Sequence, residues 1–125
     1  MSKIRLATTW LDGCSGCHMS LLDIDEKIIE LASLIDVVYS TLVDVKEFPD
    51  DVDVKLVEGA ISSDADVEEI LNIRKKTKVL ISFGDCAVSA NVPAMRNRFD
   101  SKDVLERAYI ENATNNKQLP DQNIP

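Results

Sequence analysis

The chain has 125 residues, about one domain by the usual size range. A hydrophobic fraction of 45% suits a folded core, and an aromatic share of 5% leaves aliphatic side chains to fill most of it. A formal net charge of −8 argues against binding nucleic acid or an anionic membrane, since a phosphate-binding surface needs clustered Lys and Arg.

No uninterrupted apolar run is long enough to span a bilayer. Met1-Ser2-Lys3 leads straight into a short stretch broken by Arg5, unlike a signal-peptide core, so the expectation is a cytoplasmic protein. Three cysteines is an odd count and two lie close together, so metal or redox chemistry outranks a disulfide framework.

In chain order, Ile4-Arg5-Leu6-Ala7-Thr8-Thr9 reads as a first strand, and a glycine-containing loop follows from Leu11 to Gly16. Leu21, Ile24, Ile28, Leu31 and Ile35 then step by three or four with acids between them, which predicts an amphipathic helix. Val37-Val38-Tyr39 is a second strand. Residues 42–52 hold at most a helical turn. Val54-Lys55-Leu56-Val57 is a third strand, closed by Glu58-Gly59. A second helix runs from near Ser63 to about Lys76, with Ser63 and Asp66 forming a capping box and Lys75 and Lys76 suiting its C-terminus. Val79-Leu80-Ile81-Ser82-Phe83 is a fourth strand, nearly all apolar and therefore expected in the middle of the sheet. Asn91-Val92-Pro93 is expected to break any helix, and Asp103–Glu111 to form a short one. Strands alternating with helices predict an α/β domain over 1–111, with a parallel sheet of about four strands, right-handed crossovers and flanking helices. Residues 112–125 are polar, carry two prolines and read as a surface loop or tail.

The chemistry concentrates in Trp10-Leu11-Asp12-Gly13-Cys14-Ser15-Gly16-Cys17-His18, where the first strand gives way to a helix. Cys86, in Phe83-Gly84-Asp85-Cys86, follows the fourth strand and would reach the same carboxyl edge of the sheet. The CxxC spacing lets two sulfurs grip one metal centre. Gly13, Gly16 and Gly84 would let the backbone come close to a bulky inorganic cluster and aim N–H groups at its sulfides. Such hydrogen bonds, with burial, set a cluster's reduction potential.

Four chemistries compete for these residues. A thioredoxin-like dithiol explains Cys14 and Cys17 but leaves Cys86 idle. Zinc could take His18 or Cys86 to complete its set. Covalent haem fits the C-x-x-C-H spelling but not a strand–helix junction. An iron–sulfur cluster uses all three thiols. The residues by themselves leave cluster, dithiol and zinc open. No GxGxxG, GxxxxGK or Ser-His-Asp set is present, so NAD would be bound by another subunit.

The segments Trp10–Ser20, Val57-Glu58-Gly59-Ala60-Ile61, Ser82–Ala87 and Asn91–Asn97 resemble the small subunit of bidirectional, NAD-linked [NiFe]-hydrogenases, in order and over nearly the whole chain. The resemblance implies a flavodoxin-like domain and a [4Fe-4S] cluster, the one nearest the Ni-Fe site of a separate large subunit. It places the first three ligands on Cys14, Cys17 and Cys86. It implies a subunit that relays electrons toward further iron–sulfur and flavin (diaphorase) subunits and contains no catalytic residue of its own. The related small subunit of respiratory complex I carries adjacent cysteines, so the spacing of Cys14 and Cys17 favours hydrogenase over that quinone-linked relative. Such a fold can also bind FMN, for which the sequence offers no support. The family's fourth cysteine, usually in a Pro-Gly-Cys-Pro element, has no counterpart here, so the domain is expected to be incomplete at its C-terminus.

Around the cysteines, the resemblance makes Glu58 a neighbour of the cluster, in proton movement or partner contact; a solvated acid before a turn glycine is the bland alternative. Asp85 could orient the loop that carries Cys86, as any turn-forming Asp could. His18 is expected in the first turn of the helix and not as a ligand. Trp10 is expected to pack, and Met19 and Met95 to lie in a core or interface.

Overall fold

All four expected strands are present in the computed structural model, which describes residues 2–111, 115 and 117–120. They are β1 (Ile4–Trp10), β2 (Ile35–Tyr39), β3 (Val52–Glu58) and β4 (Thr77–Phe83). They form one parallel sheet in the order β2-β1-β3-β4. The helices between them are α1 (Gly16–Leu22), α2 (Lys27–Ala32) and α3 (Asp64–Lys76), and α4 (Asp85–Ser89) follows β4. This is the expected α/β fold with a parallel sheet and flanking helices. No helix among the described residues is long and apolar enough to cross a membrane.

The chain divides into two compact units, Met1–Ala90 and Asn91–Pro125, whereas the sequence pattern places one boundary at 111. The second unit contains α5 (Asn91–Ala94), a 3-10 turn (Met95–Arg98), α6 (Ser101–Leu105) and a π-helical stretch (Glu106–Glu111). The expected tail at 112–125 falls largely outside the described residues.

The central strands β1 and β3 carry most of the buried positions, including Ala7, Val52 and Val57, and Ile73 of α3 joins them in the core. α3 starts at its expected capping box. Ser63 Oγ accepts from the Asp66 N–H at 3.2 Å, and Asp66 Oδ2 accepts from the Ser63 N–H at 2.9 Å. Arg74, Lys75 and Lys76 occupy its last turn, where cations favour the helix dipole.

Local expectations fail at three places. The helix over Leu21–Ile35 is split into α1 and α2, because Asp25 adopts a left-handed conformation at φ 57, and Ile35 already belongs to β2. Asn91-Val92-Pro93 opens α5 instead of breaking a helix; Pro93 sits in the first turn, where a missing N–H leaves no bond unmade. β4 lies at the end of the strand order instead of the middle, with Val79 51% and Ile81 40% exposed. Of the two settings expected for Met19 and Met95, their exposure excludes a core.

Lys55 of β3 looks in the sequence like an ordinary strand residue, yet it is fully buried. Among the described residues its Nζ has no hydrogen-bond partner; it lies 4.7 Å from the Tyr39 ring centroid and 4.8 Å from that of Phe48. Burial lowers its pKa to about 7, partly countered by the nearby charge of Glu69.

Candidate metal centre

The last residues of three strands stand side by side. Trp10 of β1 pairs with Glu58 of β3, and Glu58 with Phe83 of β4, so the segments bearing Cys14, Cys17 and Cys86 all leave the sheet at one edge. The parallel sheet, not any local motif, brings residues 17 and 86 to the same edge.

The loop after β1 is stitched to the turn after β3. Leu11 N–H donates to the Glu58 carbonyl at 2.8 Å, and Asp12 and Ala60 exchange backbone bonds of 3.1 and 2.8 Å. Ser62 Oγ donates to Asp12 Oδ2 at 2.6 Å. Gly59, at φ +89, makes this approach feasible: a Cβ there would lie 2.8 Å from the Asp12 carbonyl oxygen and 3.0 Å from the Leu11 carbonyl carbon. Gly13 packs on the Gly59 Cα, with room for ordinary contact only.

Between the two cysteines Ser15 takes a left-handed conformation, φ 59, and its Oγ donates to the Cys14 carbonyl at 2.6 Å. That turn starts α1 at Gly16 and places Cys17 in the first helical turn. Gly84, at φ +87, lies directly against Cys17: a Cβ on Gly84 would collide with Cys17 Sγ and approach its Cβ to 3.1 Å. A Cβ on Gly16 would come within 3.2 Å of Cys14 Sγ. Both glycines therefore leave space around sulfur atoms, as a cradle for a bulky group requires.

All three cysteines are free; Cys14 is exposed, and Cys17 and Cys86 are half-buried. Burial pushes the Cys17 thiol up, and repulsion from Glu58 and the neighbouring thiols adds to this against one lowering backbone hydrogen bond from Asp85. Among the described residues, no three His, Cys, Asp or Glu side chains converge tightly enough to hold a single metal ion. The thiols on a multi-iron cluster stand farther apart, because several irons lie between them.

Glu58 and His18 meet behind this loop. Glu58 is 2% exposed and His18 1%. Glu58 Oε2 accepts from the His18 N–H at 2.9 Å and bonds His18 Nδ1, and Oε1 accepts from the Cys17 N–H at 3.3 Å. The His18 ring meets Trp10 and Phe83 edge-on at 5.0 and 5.9 Å between centroids. Trp10 thus packs as expected, and His18 is indeed in the first turn of its helix. Asp85 receives a 2.6 Å hydrogen bond from Ser89 Oγ within α4. The contact between His18 and Glu58 is not legible in the sequence, since no spacing rule links residues forty apart. Nor is the fit of Gly59 against the cysteine loop.

A family model described as "NADH ubiquinone oxidoreductase, 20 Kd subunit" matches residues 14–125. The chain is 43% identical over 112 residues to the NAD-reducing hydrogenase HoxS subunit delta of Cupriavidus necator, covering 90% of this chain and 54% of that protein. It is 40% identical over 129 aligned positions to a subunit of the F420-non-reducing hydrogenase of Methanothermobacter thermautotrophicus, covering 98% of this chain and 42% of that one. The chain therefore spans about half the length of these relatives. A crystal structure of an NAD+-reducing [NiFe]-hydrogenase in the H2-reduced state superposes with a TM-score of 0.89 at 31% identity, over 98% of this chain and 69% of that one. Sequence, sheet and cysteine edge agree: this chain belongs to the family of the NADH ubiquinone oxidoreductase 20 kDa subunit.

Proposed function

We propose that the chain is the electron-transfer subunit of a [NiFe]-hydrogenase and that Cys14, Cys17 and Cys86 bind a [4Fe-4S] cluster. The observation that carries this reading is the placement of Gly84 against Cys17 Sγ, which brings the segment holding Cys86 onto the CxxC turn. The cluster, when bound, accepts or gives one electron at a time. The chain's own work is positioning. Gly16 and Gly84 keep side chains out of the space around the sulfurs, and Gly13 packs on Gly59. Glu58 and Asp85 hold the two ligand-bearing turns through hydrogen bonds. The fourth ligand comes from outside the three cysteines of this sequence.

In this reading the large subunit houses the Ni-Fe site, and further iron–sulfur and flavin subunits carry electrons to NAD in the cytoplasm. The hydrogenase names of the relatives, one of them NAD-reducing, favour it over a quinone-linked role. A dithiol oxidoreductase would leave unexplained why Cys86 approaches the CxxC pair.

The test is Cys86→Ser in the hydrogenase complex isolated without oxygen. We expect loss of visible cluster absorption and of hydrogen-driven NAD reduction, with nickel retained in the large subunit. Undiminished electron flow to NAD in that variant would overturn the assignment.

A further inference from the structure

The first turn of an α-helix leaves its amide N–H groups without partners inside the helix, and a cap normally supplies them. α1 does not cap itself. Its N-cap residue, Ser15, makes no side-chain cap bond and turns its hydroxyl to the Cys14 carbonyl. The amides of Cys17 and His18 are met by a carboxylate forty residues away, at the end of β3. The same carboxylate bonds the His18 ring, and His18 is wedged between Trp10 and Phe83, the terminal residues of β1 and β4.

We propose that Glu58 is the positioning residue of the cysteine helix, capping α1 from β3 so that Cys17 stays seated against Gly84, and setting a negative charge beside the group Cys17 holds. The second half rests on the cluster reading above; the first half does not. Two consequences follow. Loss of the carboxylate unties the CxxC turn from the sheet. Loss of its charge with one hydrogen-bond acceptor kept leaves part of the cap in place and makes the cluster easier to reduce, because an added electron no longer faces a nearby anion. Gln keeps one acceptor oxygen, enough for one of the two amides, and no charge, so beside Ala it tells a partial loss of the cap from the loss of the charge.

The experiment has two arms. Amide hydrogen exchange of the segment 15–20 is measured on the chain as wild type, Glu58→Gln and Glu58→Ala. Ala is expected to speed exchange there about fivefold, the factor that loss of a cap worth about 1 kcal/mol implies, while Gln, which still meets one amide, falls between Ala and wild type. Native-like exchange in a folded Glu58→Ala variant overturns the capping role. In the hydrogenase complex isolated without oxygen, iron, acid-labile sulfide and the midpoint potential are then measured for wild type and Glu58→Gln. The potential is expected to move positive at unchanged iron content, and an unmoved potential overturns the charge effect. Wild-type complex with no iron or sulfide on this subunit would sink the electron-transfer reading and the charge effect with it, while the exchange arm still decides the capping role.

Discussion

Replacing Lys55 by Met should make the folded chain more stable at neutral and acid pH and remove much of its pH dependence. In the folded chain the amine is fully buried without a hydrogen-bond partner among the described residues, and its pKa falls from 10.5 to about 7. An unfolded lysine keeps its proton up to about 10.4, while the buried one releases it near 7. Between these values the unfolded chain holds more protons, so stability rises with pH across the window. The cost of the buried charge is largest below pH 7 and fades as pH approaches the unfolded value. Linkage gives a change of roughly 3 kcal/mol between pH 6 and 9.5. Attraction of the ammonium to the Tyr39 and Phe48 rings cuts this to about 2 kcal/mol. Methionine fills the space with an unbranched apolar chain suited to aromatic neighbours. Urea unfolding followed by circular dichroism from pH 6 to 9.5 reads the difference directly. The wild-type and Lys55→Met curves should converge as pH rises. Parallel curves over the whole range would refute the argument that a buried, unpaired amine controls this behaviour.

Gly59→Ala should destabilise the chain by about 1–3 kcal/mol, because a left-handed turn and a Cβ 2.8 Å from the Asp12 carbonyl oxygen must both be accommodated; thermal denaturation checks this. Ser63→Ala should cost about 1 kcal/mol by breaking the capping box of α3, measured by urea unfolding, with the cysteine loop unaffected.

Much of the fold is legible because period and caps are local signals. The strand runs near Ile4, Val37, Val54 and Val79 carry their own hydrophobic pattern, and the Ser63/Asp66 box is written within four residues. The cysteine edge is legible by topology, since parallel strands deliver their carboxyl ends to one side. What escapes is tertiary. Asp25 ends a helical run that periodicity alone would continue, because its backbone conformation leaves no trace in the residue pattern. The apolar character of β4 suggests a central strand, but strand order depends on pairing partners that a single strand's composition does not name. Lys55 reads as an ordinary interruption of an apolar strand, and only the approach of Tyr39 and Phe48 reveals how deep it lies. The grip of Glu58 on the Cys17 and His18 amides joins two elements that only the folded sheet brings together.

The position of Cys86 after β4 has a consequence for biogenesis. At roughly 5–20 residues per second, Cys14 and Cys17 leave the ribosome roughly 4–14 s before Cys86 does. Throughout that interval the strand that carries Cys86 to this edge does not yet exist, so Cys14 and Cys17 are a bare dithiol without it. If the proposed cluster forms there, machinery that loads iron and sulfide would act after translation of β4, on an already folded sheet, and an oxidant arriving earlier would find two sulfurs free to join each other instead.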